Sequence, residues 1–90
     1  MTNLENVILS FDQWSCPWTF YEFVLKNPLL DENSKLLFEK IWKEAGDFEL
    51  WNYSDLVLSC KISQNFIRKN YNLDEEATAY IVRGLSYQWR

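Results

Sequence analysis

Ninety residues and 10.9 kDa leave room for one small core and no second domain. Apolar types at 48% and charged types at 24% describe a globular chain, and two glycines with two prolines are too few for a linker-like or disordered one. There is no histidine and the net charge is −4, which removes the commonest general base and metal ligand and disfavours direct contact with nucleic-acid phosphates. No apolar run approaches the ~18 residues that span a bilayer, and the start MTNLENVILSF lacks the basic n-region of a signal peptide. Cys16 and Cys60 are the only thiols and form no CxxC pair, so a reduced, cytoplasmic setting is expected.

Taken in chain order, the punctuation predicts an all-α single domain, residues 1–90, of five or six short helices. Thr2-x-x-Glu5 reads as a capping box, after which Leu4, Val7, Ile8 and Phe11 fall on one helical face. Ser15 before Cys16-Pro17 marks a second start, since proline suits the first turn. That helix carries Phe20, Phe23 and Val24 inward and stops at Asn27, because Pro28 biases the residue before it away from helix. A third helix is predicted from about Glu32 to Ala45, capped near Asp31 or Asn33, with Gly46 as a left-handed C′ residue. Its stripe is Leu37, Phe38, Ile41, Trp42 and Ala45, and the alternating charges Glu32, Lys35, Glu39 and Lys43 form its solvated face.

The segment Asp47–Lys61 reads as helix if Leu50, Tyr53, Val57 and Cys60 share a face. DFELWNYSD also alternates like a strand, but no second strand-like segment offers it a partner. Ser63 is expected to cap a further short helix to about Asn70. Asn72 and Asp74 open the last helix, with Ala77, Tyr80, Ile81 and Leu85 inward and Gly84 permitting close packing. The predicted core is Val7, Ile8, Phe11, Phe23, Leu37, Ile41, Val57, Ile81 and Leu85.

Little here supports catalysis. Cys16, in WSCPW, lies among rings with no neighbouring cation to favour a thiolate, and Cys60 sits between Leu58 and Ile62. Asp31-Glu32 and Asp74-Glu75-Glu76 lack the spacing of a calcium loop and suit helix N-termini instead. No enzyme activity, metal or cofactor is therefore expected. Charge is uneven: residues 1–60 hold ten acids against four bases, a balance of −6, whereas residues 61–90 hold three against five, or +2. Such a field suits a basic protein surface.

Aromatic residues make up 18% of the chain, many for one small domain, so some rings are expected at the surface. Asp47, Glu49, Trp51, Tyr53 and Asp55 combine candidate anchoring rings with steering acids, and are the predicted partner-binding residues. Equally open is the reading in which Trp51 and Tyr53 are buried and the acids only keep a helix soluble. If the acids are not the site, Trp14, Trp18 and Tyr21 are the next place to look for one.

The acidic, aromatic-rich, histidine-free character and the stretch DFELWNYSD resemble the small helical bacterial immunity proteins that neutralise nuclease toxins of the colicin or contact-dependent growth inhibition type. The resemblance implies a cytoplasmic protein that covers the basic active site of a nuclease toxin. A monomer bound to one such partner, touching neither nucleic acid nor membrane, is expected. It carries over no residue roles. A phage-encoded inhibitor of a host nuclease, or a structural or adaptor subunit with an aromatic interface, are the alternatives.

Overall fold

Aspartates set where the later helices begin. The computed structural model describes residues 3–52 and 55–88, with the backbone alone of Phe48. It contains six α-helices and, among the described residues, no strand: α1 (Asn3–Leu9), α2 (Phe20–Leu25), α3 (Glu32–Ala45), α4 (Phe48–Trp51), α5 (Leu56–Asn70) and α6 (Glu75–Gln88). Asp31 accepts from Ser34 N–H at 2.7 Å, Asp47 from Glu49 N–H at 2.9 Å, and Asp55 from Val57 N–H at 3.0 Å. Each carboxylate satisfies a donor that the first helical turn leaves without a partner. A 3₁₀ turn, Pro17–Thr19, leads directly into α2. Thr2, half of the expected capping box, lies outside the described residues. Its other half, Glu5, is buried, and its carboxylate accepts from Asp74 N–H, joining α1 to the entry of α6.

The core gathers Leu4, Val7, Ile8 and Phe11 with Phe20, Val24, Phe38, Ile41, Ile67, Ala77, Ile81 and Leu85. One end of it is aromatic. Phe11 meets Trp14 and Phe20 edge-on at 4.8 and 5.2 Å, and Phe20 continues the series to Phe38 and Trp42. Edge-to-face contact brings the positive ring edge to the negative face, a preference beyond area burial alone. No helix among the described residues is long and apolar enough to cross a membrane.

Several sequence expectations are corrected. Gly46 is not left-handed: its φ is −96° and ψ 11°. Glycine is needed there for space, because a Cβ would stand 2.7 Å from Leu85 Cδ2 and 2.8 Å from the Trp42 carbonyl oxygen. Ser63 does not start a helix, for α5 runs unbroken through it. Val57 is 64% and Leu37 39% exposed, so neither belongs to the core. The reason for Val57 is that α5 turns Ser59, Ser63 and Ile67 inward, at i, i+4 and i+8, and Val57 lies off that row. Small residues let α5 approach the end of α3 closely. Leu37, one position before fully buried Phe38, edges a shallow groove beside Leu73.

Candidate functional site

Three short-range decisions build a groove where α3 ends, α4 begins and α5 passes. The α3 helix stops at Gly46, Asp47 caps α4 at once, and α4 lasts a single turn. This places Glu44, Asp47 and Glu49 around Leu50 and Phe66 in a groove of about 420 Å³. Asp47 and Glu49 are exposed; Glu44, Leu50 and Phe66 are half-buried. Among the described residues no lysine or arginine nitrogen lies within 4 Å of these three carboxylates; the ion pairs are elsewhere, at Glu22–Lys26, Glu32–Lys35 and Arg68–Glu75. Three acids around an apolar floor are suited to a cationic side chain whose alkyl stem lies on Leu50 and Phe66.

Tyr71 supports one wall. Its hydroxyl donates to Glu44 Oε1 at 2.7 Å, and its ring leans on Phe66 with centroids 6.5 Å apart. Burial first, then the hydrogen bond and charge of Glu44, push the Tyr71 phenol up to about 12, so at neutral pH it is a fixed donor.

The five residues expected from the sequence do not behave as one patch. Asp47 and Glu49 share the groove. Asp55 is exposed but caps α5 outside the groove lining, beside exposed Val57 and Leu58. Tyr53 lies outside the described residues. Trp51 as an exposed anchor is corrected: it is only 6% exposed, and its Nε1–H donates to the Ala45 carbonyl at 2.7 Å. That carbonyl ends α3, where no backbone N–H four residues on continues the helix, so the indole takes an orphan acceptor. Ser63 Oγ–H donates to the same oxygen at 2.8 Å. Trp51 thus fixes the angle of α4 from beneath, and with it the position of Glu49.

Glu44, Phe66 and Tyr71 were absent from the sequence expectation. Glu44 lies in the last turn of α3, and only tertiary packing brings Phe66 and Tyr71 beside it. Among the described residues no three His, Cys, Asp or Glu side chains gather as metal ligands. Comparison with protein-family models, curated proteins and solved structures finds no match for this chain.

Proposed function

We propose that this chain is a non-catalytic, cytoplasmic protein inhibitor that docks an acidic groove on the basic active-site surface of a nuclease, as an immunity protein does with its cognate toxin. The observation that carries this reading is the clustering of Glu44, Asp47 and Glu49 around an apolar floor in a chain whose first 60 residues carry −6. The field of the acids steers a lysine- or arginine-lined cleft toward the groove and speeds encounter. Once docked, an inserted cation loses water and gains carboxylate partners, while Leu50 and Phe66 cover its stem. Substrate is then excluded by occupancy, and the inhibitor needs no chemistry of its own. A phage-encoded inhibitor of a host nuclease would use the same groove, and gene neighbourhood separates the two.

The test is the triple variant E44Q/D47N/E49Q, which removes three charges but keeps the shapes and leaves an Asn that still caps α4. Association with a candidate basic nuclease, and inhibition of it, are measured from low to high salt. Slower association and a flatter salt dependence are expected, with a loss of a few kcal/mol if one acid pairs with a buried cation. Unchanged affinity and salt slope in the folded variant would show that the groove is not the interface.

A further inference from the structure

A second concavity lies where the 3₁₀ turn, α2, α3 and α6 converge, and its walls differ in kind from the acidic groove. Trp18, Tyr21, Trp42 and Tyr87 surround a cavity of about 370 Å³ whose floor is Gly84. That volume falls within the range of small-ligand pockets, roughly 300–1,000 Å³. Among the described residues, the rest of the lining, Pro17 and Gln88, carries no charge. The rings of Tyr21 and Trp42 are 5.1 Å apart and inclined by 44°, so they form a corner rather than a stack. Gly84 lets α6 pack directly on the core ring of Phe20 and the wall ring of Trp42: a Cβ there would lie 3.1 Å from Trp42 Cη2 and 2.8 Å from Phe20 Cδ2. Trp18 is 73% exposed, an indole left in water at the rim of a cavity already walled by three rings.

We propose that this cavity is an aromatic cage for a trimethylammonium group. The negative faces of several rings attract a monovalent cation without contact from a carboxylate. Burial first, and then the charge of Glu39, raise the Tyr21 phenol above its usual range, so this wall of the cage is a neutral ring at physiological pH. Chemistry then selects among cations. A lysine ammonium or an arginine guanidinium brings several N–H donors, and the described lining of the cage offers them no carboxylate. A trimethylammonium has no donor to satisfy and spreads its charge over methyl groups that pack on rings. The same group occurs on free choline-like molecules and on trimethylated lysine side chains, and the cage recognises the group common to both. This site is separate from the acidic groove and does not depend on it.

The experiment titrates the full chain with tetramethylammonium, choline, a trimethyl-lysine peptide, and 3,3-dimethylbutan-1-ol, the uncharged carbon isostere of choline. Indole N–H resonances and calorimetry provide the readout. Saturable binding of the cations is expected, with the isostere weaker by about tenfold or more. Whether choline or the peptide binds more tightly identifies the source of the group. Trp18→Leu keeps apolar area but removes the ring, and should lower cation affinity by about tenfold, whereas Trp18→Phe should restore most of it. Trp18 is exposed, so neither change threatens the fold. An isostere that binds as tightly as choline, a Trp18→Leu variant with unchanged affinity, or absence of saturable cation binding would each overturn the proposal. Binding of a basic nuclease by the Trp18→Leu variant reports separately on the groove.

Discussion

The carbonyl oxygen of Ala45 receives two buried donors, Trp51 Nε1–H at 2.7 Å and Ser63 Oγ–H at 2.8 Å, and this sharing predicts strong non-additivity. Ser63→Ala removes one donor but leaves the carbonyl bonded to Trp51, so no buried group is orphaned. The lost hydrogen bond costs about 1 kcal/mol, partly offset by roughly 0.5 kcal/mol of better helix propensity at a position inside α5. A change of at most about 1 kcal/mol is expected. Trp51→Phe removes the other donor and part of a ring that is 6% exposed, which should cost about 2–3 kcal/mol. In the double variant the carbonyl is left without any partner among the residues that now serve it. Desolvation of that oxygen then appears in full, adding about 1–2 kcal/mol beyond the sum of the single changes. Urea unfolding of the four proteins, compared at constant m-value, measures the coupling against a total stability of roughly 5–15 kcal/mol. Strict additivity would mean that water or a rearranged α4 satisfies Ala45, and the account of how α4 is anchored would fail.

Other outcomes follow from the same contacts. Asp55→Ala should destabilise by about 1 kcal/mol, because Oδ1 accepts from Val57 N–H at 3.0 Å and Leu58 N–H at 3.4 Å, and Asp55→Asn should recover most of it in the same unfolding assay. Ser59 Oγ is buried with no hydrogen-bond partner among the described residues, so Ser59→Ala should raise stability by about 1 kcal/mol, read as a higher Tm. Tyr71 is raised by burial and then by Glu44 to about 12, so the folded state holds a proton that the unfolded state loses near pH 10. Stability should therefore fall as pH rises from about 10 to about 12, and Tyr71→Phe should flatten that part of the curve; an unchanged slope contradicts the assignment.

How far the sequence speaks varies element by element. The α3 helix was legible at both ends because its signals are local: Asp31 supplies the cap, and Gly46 follows the last apolar position. Periodicity identified Val7, Ile8, Phe11, Ile41, Ile81 and Leu85, all buried. It failed on α5, where the inward row is led by two serines that a hydropathy pattern assigns to water or to caps. Close approach to the Ala45 carbonyl, a tertiary fact, decides that face. The groove was half legible for the same reason. Asp47 and Glu49 adjoin the helix end in sequence, whereas Phe66 and Tyr71 arrive only when α5 packs on α3. One signal for Trp51 was present: an indole N–H a few residues past a helix terminus has an unpaired carbonyl within reach.

The bond from Asp74 N–H to the buried Glu5 carboxylate joins residues 69 positions apart, and α1 also packs on α6. On the ribosome, α1 is therefore made well before α6, the helix it packs on, and can find its place only after α6 has followed. Until residues 74–88 have emerged, Leu4, Val7 and Ile8 have no complete surface to cover, and the Asp74 amide that donates to the Glu5 carboxylate in the folded protein is not yet in place. A nascent chain stalled within α5 should be open to protease and to chaperones that bind exposed apolar segments. Release of α6 should then close the whole molecule in one cooperative step, rather than helix by helix as synthesis proceeds.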